Sequence, residues 1–148
     1  MATNYLLDAG PMGILCHSKA VRRAALETWL QEQVAAGSII YLPEIADFEV
    51  RRKLLHLVHR KQAPAKSLTR LNQLARLCDY LPMTTAMWQD AAQLWCDARL
   101  QGLPTTSDAA LDSDVLLAAQ ARAAGATVLT MNPGHLSRFV AVLTWPSP

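Results

Sequence analysis

Long hydrophobic runs are missing from this sequence. The longest uncharged apolar stretch, Val115 to Ala121, is interrupted by Gln120, and it is far shorter than the about 20 residues of a membrane-spanning helix. The opening Met1-Ala2-Thr3-Asn4 places no basic residue ahead of its apolar stretch, which Asp8 soon interrupts, so no signal peptide is expected. Cysteine is scarce. Cys16, Cys78 and Cys96, odd in number and widely spaced, make neither a disulfide framework nor a paired metal knuckle and read as buried thiols in a reducing cytosol. Charged residues are only 18% of the chain against 51% apolar, which argues against disorder and for a large core or an apolar partner surface. The phosphate-cradling patterns GxxxxGKS/T and GxGxxG are absent, as is the nucleophile elbow GxSxG. His56 and His59 lie three apart with no third soft ligand nearby, so a zinc site is not expected. His17 and His135 read as surface or loop-packing residues, and Trp29, Trp88, Trp95 and Trp145 as core or interface rather than base-stacking platforms.

What is present has the size and rhythm of an α/β domain. At 148 residues the chain is expected to be one domain over 1–148, needing no disulfide or metal staple. Tyr5-Leu6-Leu7 reads as a buried strand ending in Asp8, with Ala9-Gly10-Pro11 as a turn. Helical spacing runs from Ala20 to Ala36 and stops at Gly37; Ser38 to Leu42 reads as a strand closed by Pro43. Helices are expected over Glu44–Lys61, Pro64–Leu77, Thr84–Leu100 (capped by Thr84 or Thr85) and Asp112–Ala124. Strands are expected over Asp79–Pro82, Thr127–Met131 and Val140–Trp145, and a mobile loop over Gln101–Asp108. Strands alternating with helices imply a three-layer α/β/α sandwich around a central, mostly parallel sheet. The functional crevice of such a sheet lies at the carboxyl ends of its strands, where Asp8 and Asn132 both fall.

The charge is unevenly distributed. Net charge is only +2, yet Arg51 to Arg76 holds eight basic residues (Arg51, Arg52, Lys53, Arg60, Lys61, Lys66, Arg70, Arg76) and no Asp or Glu. Such a stretch suits phosphate binding beside a carboxylate site, or docking on an acidic partner. Asp108, Asp112 and Asp114 cluster ahead of the apolar run Val115-Leu116-Leu117-Ala118-Ala119. Asp112-Ser113-Asp114 could simply cap a helix. Asp8, by contrast, would be desolvated at the end of a buried strand without a cation or donors. Acids gathered at one sheet edge repel, and a cation relieves them; an all-oxygen set selects a hard ion, Mg²⁺ or Mn²⁺, suited to phosphoryl chemistry.

Four segments together, Leu6-Leu7-Asp8-Ala9-Gly10-Pro11, Ala46-Asp47-Phe48-Glu49-Val50-Arg51-Arg52, Asp112-Ser113-Asp114-Val115-Leu116-Leu117-Ala118-Ala119-Gln120-Ala121 and Ala126-Thr127-Val128-Leu129-Thr130-Met131-Asn132, resemble a PIN domain in order and spacing over nearly the whole chain. Within that family the chain is most similar to the small VapC-type toxins. The resemblance implies a metal-dependent endoribonuclease with Mg²⁺ or Mn²⁺ and a cognate antitoxin; the apolar, charge-poor composition suggests a homodimer, and the missing signal and spanning run a cytoplasmic location with no membrane. The resemblance assigns Asp8, Glu49, Asp114 and Asn132 to the catalytic site and Asp8, Glu49 and Asp114 to the metal, joined by Asp112 if that side chain points inward; Arg51, Arg52 and Lys53, directly after Glu49, are expected on the RNA. Glu44 is a rival to Glu49; five residues apart, the two point about 140° from each other around a helix. Lys53 and Arg52, four and three residues beyond Glu49, are placed to contact the scissile phosphate. Two departures stand out: Asp8 is followed by Ala9-Gly10 where the family has Thr-Asn, and Asn132 is neutral. They leave open a catalytically weak or inactive PIN-like module that binds RNA or a partner. A haloacid-dehalogenase-type phosphatase would need a second acid where Gly10 stands, and a receiver domain would need an acidic pair beside the first strand.

Overall fold

The computed structural model describes residues 2–17, 19–102 and 107–146. Among them are five strands, β1 (Tyr5–Leu7), β2 (Ile40–Pro43), β3 (Asp79–Leu81), β4 (Thr127–Thr130) and β5 (Val142–Thr144). Six helices flank them: α1 (Ala9–His17), α2 (Ala20–Ala35), α3 (Glu44–His59), α4 (Lys66–Leu77), α5 (Thr85–Leu100) and α6 (Asp108–Ala124). The strands form one sheet in the order β3-β2-β1-β4-β5, and every pairing is parallel. This is the expected three-layer α/β/α sandwich, with the sheet wholly parallel. β1 lies at its centre, with Leu6 and Leu7 fully buried. The chain builds outward from β1 to β3 and then returns to the other side of β1 with β4, so the switch in direction falls between β1 and β4, the place where open parallel sheets keep their functional crevice.

Three departures from the sequence expectation have plain causes. The Ala9-Gly10-Pro11 turn is instead the first turn of α1. Proline is harmless there, because the first N–H groups of a helix have no partner within it. A Cβ added at Gly10 would stand 3.2 Å from Met131 Cγ and Sδ, so glycine lets α1 seat closely against the end of β4. The helix expected from Asp112 begins four residues earlier: Ser107 is its cap, its hydroxyl accepting from Ala110 N–H at 3.3 Å. Asp112-Ser113-Asp114 is therefore helix interior, not a capping segment. Of the loop expected over Gln101–Asp108, residues 103–106 lie outside the described residues, and Asp108 is helical. Of the tryptophans expected in the core or at an interface, Trp88 is 51% exposed and so lies outside the core. Cys96 is exposed as well, rather than a buried thiol.

One fully buried polar residue ties the layers together. Gln120 Nε2 donates to the Leu81 carbonyl at 2.7 Å while its Oε1 accepts from Ile45 N–H at 3.3 Å. It thereby joins the end of β3 and the start of α3 to α6 and fixes how α6 presents its acidic turn to α3.

A candidate carboxylate site at the strand ends

Three acids from three distant segments line one cavity of about 30 Å³, together with Ile45, Ala46, Ser113 and Leu117: Asp8 after β1, Glu49 on α3 and Asp114 on α6. That volume admits a single water or ion. Asp8 is held on both oxygens. Its Oδ1 accepts from Ala9 N–H at 2.7 Å, and its Oδ2 accepts from the Thr130 hydroxyl at 2.8 Å. The register explains the second bond: Leu7 pairs with Leu129, so the next residues of the two strand ends, Asp8 and Thr130, fall side by side. Glu49 Oε1 accepts from the Ser113 hydroxyl. Asn132 is exposed at the end of β4; its backbone N–H donates to Thr130 Oγ1 at 3.2 Å, and its side-chain oxygen accepts from Gly134 N–H at 3.2 Å.

Asp114 carries the electrostatic signature of the site. Burial raises its pKa above the ordinary 3.8, the Asp8 and Glu49 charges raise it further, and His135 partly offsets them. A carboxyl so placed holds its proton more readily than in water until a cation arrives. Among the described residues no group of three His, Cys, Asp or Glu already stands at ligating distance. The donor chemistry nonetheless fits a hard divalent ion, because the three acids offer only oxygen and Asp114 lacks a permanent cation among the causes acting on it. The buried Cys16 and the half-buried Cys78 offer nothing comparable: burial pushes both thiols up to about 11.

The other residues singled out from sequence are dispersed by helical geometry. Asp112 and Asp114 are two residues apart, about 200° around α6. Asp112 therefore lies away from the acid cavity, lining a separate surface hollow with Trp88, Trp95 and Leu116. Glu44 also faces elsewhere, accepting from Met83 N–H at 3.3 Å, which leaves Glu49 as the α3 acid in the cavity. Arg51 is committed to its own helix and to α4, donating to Asp47 Oδ1 at 3.1 Å and Asn72 Oδ1 at 2.8 Å. Arg52 and Lys53 line a groove of about 510 Å³ with Arg22, His17 and Glu49, so this groove adjoins the acid cavity at Glu49. Its floor is apolar, including Ile14, Val50, Leu54 and Leu57. The Arg52 guanidinium lies 5.1 Å from the Phe48 ring centroid. Sequence reasoning missed Thr130 and Ser113, the hydroxyls that hold Asp8 and Glu49. Thr130 was findable as the residue beside Asp8 once β1 and β4 are paired; Ser113 gave no signal before the register of α6 was known.

A parallel sheet thus gathers three carboxylates near its strand ends, and comparison with known proteins places the chain. Residues 6–140 match the PIN domain family. The chain belongs to that family, whose members are generally nucleases dependent on divalent metal. The fold is similar to VapBC2 from Rickettsia felis bound to a DNA fragment from their promoter, with TM-score 0.73 and 16% identity over 97% of this chain and 99% of that one. It is also similar to FitAcB from Neisseria gonorrhoeae, with TM-score 0.72 and 23% identity over 95% and 96% of the two chains. VapBC-1 from nontypeable Haemophilus influenzae gives TM-score 0.68 and 16% identity over 97% and 98%. No curated protein matches the chain in sequence. No described helix is long and apolar enough to cross a membrane.

Proposed function

We propose that this chain, as one domain over 1–148, is a cytoplasmic metal-dependent endoribonuclease, the toxin of a toxin–antitoxin pair. The observation that carries the reading is the convergence of Asp8, Glu49 and Asp114 on one ion-sized cavity. These three residues would hold Mg²⁺ or Mn²⁺, which when bound acidifies water and neutralises charge growing on a phosphodiester. Thr130 fixes the Asp8 carboxylate and, through the Asn132 backbone, the turn that carries the Asn132 amide; that amide, outside the cavity lining, would orient water or substrate. Ser113 holds Glu49 toward the cavity. Arg52 and Lys53, with Arg22, flank the groove through which a polyanion reaches the acids, whereas Arg51 serves the fold. The neighbours named VapBC and FitAB are solved as complexes, which supports an antitoxin partner here, and the apolar floor of the groove suits an amphipathic helix of that partner. The hollow beside the exposed Trp88 suits a second copy of the chain in a homodimer.

A second reading is favoured by one observation: no three acids stand at ligating distance among the described residues, as in a module that binds RNA without cutting. One experiment separates the two. Purified wild type and Asp114→Asn are incubated with a structured RNA panel in Mg²⁺, Mn²⁺ or EDTA. The nuclease reading expects cutting that requires metal and is lost in the variant. RNA binding indifferent to EDTA, with no cutting and no metal uptake by calorimetry, would establish the binding module instead.

A further inference from the structure

Beyond the acid cavity and its groove lies a third depression, of about 370 Å³, lined by His17, Lys19, Arg23, Pro64, Lys66, Ser67 and Arg70. Among the described residues, four of the seven that line it carry a permanent positive charge and none is a carboxylate. It is built from three elements: the end of α1, the start of α2 and the first turns of α4. Its floor is ordered, because the fully buried Ser67 hydroxyl lies 3.0 Å from His17 Nδ1 and the Arg70 guanidinium donates to the Cys16 carbonyl at 3.5 Å. Arg23 is partly compensated by Glu27 at 3.6 Å, one turn along α2. Neither α2 nor α4 has a capping side chain or an acid in its first turn. Each begins instead beside a lysine, against the preference of a helix N-terminus for negative charge.

The depression adjoins the groove that leads to the acid cavity. Glu49 lines both the acid cavity and the groove, and His17 lines both the groove and the basic depression. We infer that the depression between α1, α2 and α4 is a phosphate-binding subsite for an RNA strand, gripping the backbone at nucleotides removed from the one whose phosphodiester lies at the acids. This deepens the nuclease reading and rests on it. Phosphate is favoured over an acidic stretch of protein because, among the described residues, Pro64 is the only apolar side chain in the lining. A protein partner would need apolar surface for its affinity; the neighbouring groove has that surface.

The test measures binding apart from turnover. Fluorescence anisotropy of labelled poly(U) is recorded across a salt series in the cleavage-deficient Asp114→Asn background. Lys19→Gln/Lys66→Gln is compared with Arg76→Gln, which removes a cation from the opposite end of α4. Lys19, Lys66 and Arg76 are all exposed, so thermal melts should match the parent. Each lost phosphate contact on a single strand should flatten the slope of log affinity against log salt by about 0.7, so the double variant should lose about 1.4 and bind about tenfold more weakly at low salt. A double variant whose slope and affinity equal those of Arg76→Gln overturns the assignment. So does unchanged poly(U) binding accompanied by weakened binding of poly-L-glutamate, which would give the depression to an acidic protein segment. Wild type that binds poly(U) through these lysines but cuts no RNA defeats the nuclease reading and leaves the phosphate subsite standing.

Discussion

Two aspartates show how the same side chain serves opposite ends in this molecule. Asp47 on α3 is buried and fully answered: Arg51 donates to one oxygen at 3.1 Å and the Tyr80 hydroxyl to the other at 3.1 Å. Asp114 on α6 is half-buried, faces Asp8 and Glu49, and has only His135 acting to lower its pKa. The first is a satisfied group that fastens α3 to β3 and, through Arg51 and Asn72, to α4. The second is left in a state that burial and like charge disfavour. A carboxylate paired within the fold stabilises it; one left facing like charge, as Asp114 is, is a candidate for chemistry.

The largest effect that would break this comparison is on cleavage. Asp114→Asn should lower the rate of metal-dependent RNA cutting by about a hundredfold or more, whereas Asp47→Asn should keep most of it, as gel assays of the two proteins would read. Stability should respond in the opposite order. Asp47→Ala leaves the partly exposed Arg51 without its carboxylate and should cost about 2 kcal/mol, less than the loss for a fully buried pair, measurable by denaturant unfolding. An intermediate effect belongs to Thr130→Val, which removes the donor to Asp8 Oδ2; cleavage or metal affinity should fall about 10–100-fold, the usual range for a group that orients a ligand. Unchanged metal affinity and rate would show that Asp8 needs no such support.

The smallest effect is on the pH dependence of folding. The Asp114 carboxyl has a folded pKa above its ordinary 3.8, so without metal the folded protein binds more protons than the unfolded chain between those two values. Stability from this group therefore falls as pH rises from about 3.8 through the raised value and stays low above it. Asp114→Asn should remove that slope and raise the neutral-pH Tm, by no more than the ~2–4 °C that about 1 kcal/mol moves a domain of this size. A lowered Tm would mean that Asp114 is a satisfied residue like Asp47.

Most of the frame was legible because apolar runs and turn residues mark parallel strands and covering helices plainly. Tyr5–Leu7 and Thr127–Thr130 were findable as short β-rich runs, and Asp8 as the polar residue ending one of them. What escaped depended on angle rather than on residue type. The start of α6 is set by the Ser107 cap, and Asp112 and Asp114 part company because two residues along a helix turn it past half a circle. The burial of Gln120 was invisible for a different reason: its two hydrogen bonds join segments 75 and 39 residues away, and nothing local in the chain announces a polar residue that finds its partners only in the finished fold.

The central position of β1 bears on how the chain is made. Its neighbour β4 comes late in the sequence, and Thr130 reaches Asp8 across 122 residues. A growing chain on the ribosome, whose earlier segments emerge first, therefore has Asp8 and Glu49 long before it has Asp114, Thr130 or the second flank of β1. The third acid, on α6, is made only after β1, β2 and β3, and the Thr130 donor to Asp8 only with β4. A fragment that ends before α6 lacks one of the three acids, and one that ends before β4 has all three but lacks the hydroxyl that holds Asp8.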